Sequence, residues 1–248
     1  MSPVIHGLVA WILAILLIKD VRDRRLVVIA GVIPDIDAIF LLLNEDLFYE
    51  FHHTIGHSFV FGIPLALLFA AVSRDTTANN HHIKQYQSFP SRFRARVFLA
   101  CLGTFSLHLL ADYYGSNWPV PLFWPFSGYE VTAAEFISYQ TMYGIINPVV
   151  AALTVLIVII LIFVKESTPL EFISKKLDDR LVGFYVYPIK YRCHQCPTLA
   201  LFACEMCGEK ACWEHMGSIR RWGSWKCGNC DAKDTISTSP MPTKDKSV

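Results

Sequence analysis

The sequence predicts an all-α membrane protein, in which a bundle of about five membrane segments is followed by a small cysteine-rich domain. The first observation is composition: of 248 residues, 53% are hydrophobic and only 17% are charged, against roughly 25% charged in an average soluble domain. The second is that apolar residues form five runs, at 4–18, 26–43, 59–73, 97–111 and 141–164. The third is that seven of the eight cysteines follow residue 192.

The five apolar runs differ in how well each fits a bilayer. The run 141–164 contains no charged residue and is long enough to cross a membrane by itself. The first run begins without a basic segment or a clear cleavage site, which predicts a retained membrane segment rather than a signal peptide. The other three are short or interrupted, so a mixture of full crossings and re-entrant segments is the alternative to five crossings.

The distribution of basic residues favours five crossings and gives the chain an orientation. Lys and Arg are concentrated in the connections 19–25 and 74–96 and in the tail after residue 165, and they are absent from 44–58 and 112–140. Because basic connections stay in the cytoplasm, the sequence predicts an integral cell-membrane protein with its N-terminus outside and its cysteine-rich domain in the cytoplasm. The formal net charge of +1 does not indicate a nucleic-acid partner.

Acidic and imidazole side chains interrupt the apolar runs in a way that predicts a metal site. His108 and Asp112 are four residues apart and so lie on one face of a helix, while Asp35 and Asp37 follow Pro34. Ionisable groups are costly in apolar surroundings unless a partner neutralises them. A mixed His and Asp ligand set suits zinc and similar divalent ions. The candidate metal ligands are His6, Asp35, Asp37, His52, His53, His57, His108 and Asp112.

A subset of these ligands forms the candidate catalytic centre: Asp35, Asp37, His57, His108 and Asp112. A metal ion that keeps one position open lowers the pKa of a water molecule and so supplies a nucleophile for hydrolysis. In the predicted topology every candidate ligand falls in the outer half of the bundle or at its outer surface. The aromatic segment 113–129 is predicted to lie at the same face, at the level of the lipid headgroups.

Four motifs in order along this part of the chain resemble a known family: Pro34-Asp35-Ile36-Asp37, His52-x4-His57-Ser58, His108-x3-Asp112 and Pro121-Leu-Phe-Trp-Pro125-Phe-Ser. The family is that of the LexA-binding, inner-membrane-associated metal-dependent hydrolases, and the resemblance covers roughly residues 1–165. It implies a multi-helix membrane protein whose His and Asp residues bind metal. His53 stands where arginine is usual, so both His52 and His53 stay open as the ligand. A more distant similarity to zinc-dependent phospholipase C and related nucleases implies a phosphoester substrate by analogy alone.

The cysteine-rich tail carries eight potential ligands in four close pairs: Cys193-x2-Cys196, Cys204-x2-Cys207, Cys212-x2-His215 and Cys227-x2-Cys230. Four pairs are what two tetrahedral zinc ions require, so the sequence predicts two structural zinc ions. A disulfide framework is disfavoured by the predicted cytoplasmic side and by the histidine in the third pair. The pattern resembles B-box and AN1 zinc fingers. It leaves open whether pairs one and three share an ion, as in a cross-brace, or whether the pairs are used sequentially.

These observations predict four regions: a membrane-embedded domain at 1–165, an amphipathic juxtamembrane linker at 166–192, a double zinc-binding module at 193–230 and a disordered tail at 231–248. The predicted function is a membrane-bound, metal-dependent hydrolase that acts at the outer face on a phosphoester, including one carried by a lipid. The predicted partners are membrane lipids and a cytosolic protein bound by the zinc module. The alternatives are a non-enzymatic adaptor or sensor with a structural metal, and a metal or proton transporter that uses the same buried ligands.

Overall fold

The computed structural model describes residues 2–36, 46, 52, 55–73, 94–116, 118–204, 206–219, 225–227 and 230. The described chain is mostly helical, and it divides into two compact units, Met1–Leu161 and Ile162–Val248. The predicted boundary at residue 165 is the last residue of a long apolar helix. The predicted disordered tail at 231–248 lies outside the described residues.

Among the described residues, four helices form the bundle of the first unit: α1 (Pro3–Leu17), α2 (Val21–Val32), α3 (Phe59–Val72) and α4 (Ala95–Gly115). Their starting points follow from capping. Pro3 lies in the first turn of α1, where a missing N–H costs nothing. The side chain of Asp20 accepts hydrogen bonds from the backbone N–H groups of Arg22 and Asp23 at the start of α2. Ser58 caps α3 in the same way through the N–H of Val60.

The start of α2 corrects one prediction. Residues 19–25 were predicted to be a basic connection, but only Ile18, Lys19 and Asp20 separate α1 from α2. The cap at Asp20 starts the helix early, so the basic residues Arg22, Arg24 and Arg25 belong to its first turns. The connection is therefore a tight turn that places α1 and α2 side by side, and the two helices pack closely along their length.

A fifth helix, α5, is long and strongly apolar and spans Tyr139–Lys165. It includes a π-helical segment at Met142–Ile146. Among the described residues, α4 and α5 are the two helices long and apolar enough to cross a membrane, and α1 and α3 are shorter apolar helices. Part of the predicted run 26–43 lies outside the described residues. Five crossings therefore stay a prediction.

The bundle is held together where small residues let α1, α2 and α4 approach closely. A Cβ atom added to Gly31 of α2 would lie 2.6 Å from Ala10 Cβ of α1 and 3.2 Å from Thr104 Cβ of α4. The Thr104 hydroxyl group donates a hydrogen bond to the carbonyl oxygen of Val27, 3.1 Å away. Phe105 of α4 packs against α3, where a Cβ atom added to Gly62 would overlap its ring, and both Phe105 and Trp11 of α1 are 1% exposed. The tight packing brings polar side chains of separate helices within reach of one another.

In its described residues, the second unit combines an interrupted helix with two short hairpins. After a 3₁₀ turn at Pro169–Phe172, helix α6 runs over residues 175–190 as Lys175–Leu181, a π-helical segment Val182–Val186, and Tyr187–Lys190. Strands β1 (Phe202–Ala203) and β2 (Lys210–Ala211) pair antiparallel, and so do β3 (Met216–Ile219) and β4 (Trp225–Cys227). With so little regular structure, the cysteine-rich part has few backbone hydrogen bonds to stabilise it and needs other links between its loops.

Candidate metal sites

The bundle site is built around helix α4, which carries His108 and Asp112 on one face. Their side chains are 1% and 2% exposed, and His108 Nε2 lies 3.1 Å from Asp112 Oδ2. The other ring nitrogen, His108 Nδ1, is 2.8 Å from the carbonyl oxygen of Gly31. Because a carbonyl oxygen only accepts hydrogen bonds, Nδ1 carries the proton of the neutral ring. His108 therefore presents the lone pair of Nε2 to the site.

Three side chains from other elements converge on this pair. His6 comes from α1, Asp35 from the short turn after α2, and His57 from the 3₁₀ turn before α3. His6 Nε2 is 3.2 Å from Asp112 Oδ1, and His57 Nε2 is 3.4 Å from Asp112 Oδ2. Asp35 Oδ1 is 3.4 Å from His108 Nε2 and 3.7 Å from His57 Nε2. All five residues are buried, and Asp35 is the most accessible of them at 8%.

The spacing of these atoms fits the coordination sphere of a metal ion. Nitrogen and oxygen ligands about 2.1 Å from one ion stand about 3.0–3.4 Å apart in tetrahedral or octahedral geometry. The nitrogen–carboxylate distances of the cluster run from 3.1 to 3.9 Å, and His57 Nε2 faces His108 Nε2 at 3.3 Å. Imidazole nitrogens that face each other beside two carboxylates need a shared cation, either a proton or a metal ion.

Two buried polar atoms of this cluster make no well-oriented hydrogen bond with any group that the structure describes, because the 3.2 Å contact between His6 Nε2 and Asp112 Oδ1 lacks hydrogen-bond geometry. The two atoms are His6 Nε2 and Asp35 Oδ2, which lie 3.9 Å apart. Buried polar atoms are almost always hydrogen-bonded, and an exception indicates a bound ion or water. His6, Asp35, His108 and Asp112 each offer one ligand atom within 4.8 Å of the others. The donor set therefore fits a divalent metal ion.

Each carboxylate of the cluster also spans two groups of histidines. Asp112 presents Oδ1 to His6 and Oδ2 to His57 and His108. Asp35 presents Oδ2 to His6 and Oδ1 to the other two histidines. Such bridging carboxylates hold pairs of metal ions about 3.5–4 Å apart in two-metal hydrolytic sites. The arrangement therefore accommodates one ion or two.

The cysteine-rich domain contains two further ligand clusters. One consists of Cys193, Cys196, Cys212 and His215, and the other of Cys204, Cys207, Cys227 and Cys230. Pairs one and three are therefore together, as are pairs two and four, which is the cross-brace arrangement. The Sγ atoms of Cys196 and Cys212 are 3.6 Å apart, as are those of Cys207 and Cys227. Sulfur ligands of one zinc ion stand about 3.7 Å apart, and none of these cysteines forms a disulfide.

Hydrogen bonds prepare one thiol of each cluster for metal binding. The Thr198 hydroxyl group and the His215 imidazole lower the pKa of the Cys212 thiol to about 5. Burial raises the pKa of Cys204, but backbone N–H groups, including that of Cys227 at 3.2 Å, lower it to about 6. Because the thiolate is the form that binds metal, both clusters could each hold one ion near neutral pH.

Comparison with known proteins gives one result that bears on the bundle. The profile described as YdjM inner membrane protein matches residues 1–171. The chain belongs to the YdjM inner membrane protein family. The match covers the whole bundle and the apolar helix α5, and it ends before the cysteine-rich domain, which is an addition to the part shared with the family. Searches of curated proteins and of solved structures found no match.

Membership of the YdjM family, together with the two long apolar helices, makes this a membrane-associated protein. Of the ligands predicted from the sequence, His6, Asp35, His57, His108 and Asp112 lie together. His52 is half-buried and lies next to the cluster: its ring centroid is 5.6 Å from that of His57 and 4.9 Å from that of Trp118. Asp37 and His53 lie outside the described residues, so the choice between His52 and His53 stays open.

Sequence reasoning missed the residues that position these ligands. Gly31 orients His108 through a backbone carbonyl group, which a sequence motif does not reveal. Ser58 donates its hydroxyl hydrogen to the carbonyl oxygens of Trp124, at 2.8 Å, or Leu122, at 3.2 Å, and so ties His57 to the proline-rich loop. The motif Pro121–Ser127 was noticed only as part of the family resemblance, and its partner in space is the residue after His57.

Proposed function

We propose that this protein is a membrane-bound, metal-dependent hydrolase whose bundle site holds one or two divalent ions and acts on a phosphoester. The observation that carries the proposal is the convergence of three imidazoles and two carboxylates from four separate elements on one buried point. Such a set is costly without a cation, since each group loses its hydration. Structural stability alone would be better served by apolar residues of similar size.

Some residues of the site are proposed to bind the metal ion, and others orient those ligands. A bound divalent ion would supply Lewis acidity and lower the pKa of a water molecule. His57, His108 and Asp112 hold the ion from the interior, and Gly31 fixes the ring of His108. Asp35 is the most accessible ligand, so water and substrate approach from its side. His52, whose ring centroid is 5.6 Å from that of His57, is the residue proposed to contact an anionic substrate at the edge of the cluster.

The substrate class follows from chemistry and location together. Phosphoesters are hydrolysed by His and Asp metal sites in which ions polarise the phosphoryl oxygens. Three of the ligands come from the apolar helices α1 and α4 of a membrane protein. The segment after Asp112 exposes aromatic side chains such as Phe126 (84% exposed) and Phe136 (82% exposed). A lipid-borne phosphoester at the outer face is therefore the proposed substrate, with the N-terminus outside and the cysteine-rich domain in the cytoplasm.

One observation favours a non-enzymatic alternative. All five ligands of the bundle site are 8% exposed or less, and His57 is fully buried, as in closed structural metal sites. In that case the metal stabilises the bundle, and the protein acts as an adaptor or sensor. A metal transporter is the third candidate, because ionisable residues inside membrane segments mark ion pathways.

The cysteine-rich domain is proposed to hold two structural zinc ions and to bind a cytosolic protein. A cavity of about 540 Å³, lined by α6 and by the cysteine-rich domain, supports a partner site, since it is large enough for side chains of another molecule. Half of the ten lining residues are aromatic: Phe184, Tyr187, Phe202, Trp213 and Trp225. Aromatic residues in such cavities are typical anchors in protein interfaces.

The functional test compares the purified protein with two site variants and one control. His57→Ala and Asp112→Ala remove ligands, while His194→Ala removes a histidine of the second unit that is bonded to the carbonyl oxygen of Lys210. Each protein is assayed on phosphodiesters and phospholipids after reconstitution with Zn²⁺ or Mn²⁺. Turnover that both site variants lose and the control keeps, with helix content unchanged, supports the enzyme. Bound metal without turnover supports the adaptor, and metal flux into liposomes supports the transporter.

A further inference from the structure

Helix α6 is attached at two points to the C-terminal end of the apolar helix α5. Lys190 Nζ donates a hydrogen bond to the carbonyl oxygen of Phe163 at 3.2 Å and pairs with Glu166 at 2.7 Å. Near the other end of α6, Ser167 Oγ lies 3.0 Å from Asp178 Oδ2. Residues 178 and 190 are about 18 Å apart along a helix. Since both contact residues 163–168, α6 lies across the end of α5 and does not continue along its axis.

The position of α5 sets the depth of α6 in a membrane. Helix α5 has 27 residues, and its most apolar stretch has a mean hydropathy of 2.9 with only 17% of that stretch buried within the protein. Such a helix is surrounded by lipid, and its last residue, Lys165, marks the level at which the hydrocarbon region ends. A helix that lies across this end is therefore at the level of the lipid headgroups.

The side of α6 that the protein leaves uncovered is apolar. Leu177 is 40% exposed, Tyr185 62% and Ile189 74%, and Ile173 just before the helix is 68% exposed. The positions 177, 181, 185 and 189 follow at intervals of four, so they project from neighbouring points along the helix, and Leu181 is half-buried. An exposed apolar row of this length needs a cover, and monomeric soluble proteins rarely leave one open.

The charges beside this apolar row identify the cover. Four exposed basic residues belong to or follow the helix: Lys176, Arg180, Lys190 and Arg192. Asp179 is the one exposed acidic residue in the described range 169–192, and it pairs with Lys175 at 2.9 Å. The other acidic residues of that range, Glu171 and Asp178, are buried. An apolar row flanked by basic residues suits a leaflet that contains anionic phospholipids.

We propose that α6 lies in the headgroup layer of the leaflet where α5 ends, as an interfacial helix that binds anionic phospholipid. Leu177, Tyr185 and Ile189 enter the boundary of the acyl chains, and Lys176 and Arg180 contact phosphate groups. The cysteine-rich domain, which follows α6 directly, is thereby held at the membrane surface. The alternatives are that a second copy of the chain or another protein covers this apolar row.

The experiment uses the full-length protein in nanodiscs of phosphatidylcholine and phosphatidylglycerol. A p-benzoylphenylalanine photocrosslinker replaces Tyr185 on the exposed row. In a second variant it replaces Tyr187 of the same helix, which lines the aromatic cavity next to the cysteine-rich domain. Ile160, 52% exposed on α5, is the lipid-facing reference position. After irradiation, intact-mass analysis identifies the crosslinked species. We expect phospholipid adducts at positions 185 and 160, and at least ten-fold less at 187.

Two results would overturn the proposal. The first is an adduct at position 185 with a second chain or with another protein, or no lipid adduct there while position 160 is labelled.

The second concerns headgroup choice: the ratio of phosphatidylglycerol to phosphatidylcholine adducts at position 185 should exceed the bulk ratio several-fold. This excess should vanish in the Lys176→Gln, Arg180→Gln double variant and return in Lys176→Arg, Arg180→Lys. A ratio equal to the bulk ratio in the unaltered protein contradicts anionic-lipid binding.

Discussion

At the scale of single residues, the bundle site depends on glycines that bind no metal themselves. Gly31 offers its carbonyl oxygen to His108 and packs between α1 and α4. A Cβ atom at Gly56, the residue before His57, would lie 2.7 Å from the carbonyl oxygen of Pro34. Glycine permits such close approach of two backbones. The neighbouring residues His57 and Asp35 are therefore held together by packing as well as by charge.

The variant Gly31→Ala tests this role of packing. The added methyl group would overlap Ala10 and push α1 away from α2, which we expect to lower the free energy of unfolding by about 1–3 kcal/mol. Because His6 is on α1 and His108 bonds to Gly31, the variant should also bind less metal. Gly103→Ala on α4 is the matched control, since nothing lies within 4 Å of the added atom. Thermal unfolding and metal content are measured for both, and equal behaviour of the two variants would refute the packing argument.

At the scale of elements, the hydrophobic runs predicted where α1, α3, α4 and α5 lie, because those helices are apolar over most of their length. The start of α2 was not predicted, since the cap formed by Asp20 outweighed the run of charged residues that follows it. The sequence also predicted an amphipathic linker at 166–192 but did not show that α6 folds back onto the end of α5. That placement depends on Glu166, which has a positive φ of 52° and reverses the chain.

Glu166 also links α5, α6 and β2 through charge. It pairs with Lys190 at 2.7 Å and Lys210 at 3.3 Å and accepts a hydrogen bond from the Tyr191 hydroxyl group. Burial raises the pKa of Glu166, but these partners lower it by more, so that it ends below its ordinary value. A group whose pKa is lower in the folded state stabilises above its unfolded pKa, and this stabilisation is lost as the pH falls through the folded value.

The variant Glu166→Gln is therefore expected to lower the melting temperature at pH 7, with a deficit that shrinks progressively below about pH 4.5. The measurement is the difference in melting temperature between the variant and the unaltered protein at each pH, which cancels the effect of acid on the thiolate clusters. Glu209→Gln is the control, because the Glu209 side chain is 48% exposed and its ion-pair partner among the described residues is a histidine, His194, at 3.6 Å. A deficit that is the same at pH 7 and pH 4 would exclude the charge linkage.

At the scale of the whole molecule, spacing predicted the ligand pairs of the cysteine-rich domain well, because a Cys-x2-Cys loop presents two ligands to one ion by local geometry alone. The cross-brace was not predictable, since it depends on how the hairpins β1–β2 and β3–β4 pair in space. The bundle ligands were recognised from their cost in apolar runs. The spatial arrangement of these ligands could not be predicted from the sequence, because it depends on the packing of α1, α2 and α4.

Removal of bound metal should affect the two structural units differently. Because the described part of the cysteine-rich domain holds two short hairpins as its regular structure, the domain is expected to lose its structure when a chelator takes its metal, while α1 to α5 keep their helical backbone hydrogen bonds. Hydrogen exchange measured by mass spectrometry should show faster exchange in residues 193–230 and much less change in α4. The variant Cys212→Ala should reproduce the effect without chelator, and Cys101→Ser, a change at a cysteine buried in the bundle, should not. Unchanged exchange in 193–230 after metal loss would show that the domain folds without metal.

The central claim is that His6, Asp35, His57, His108 and Asp112 bind a common metal centre. The most direct measurement is the metal content per chain, by inductively coupled plasma mass spectrometry, of the full-length protein and of Asp112→Ala. The account predicts metal beyond the two ions that the two cysteine clusters could hold, and loss of this excess alone in Asp112→Ala. An unaltered protein without the excess, or an Asp112→Ala variant that keeps it, would contradict the account.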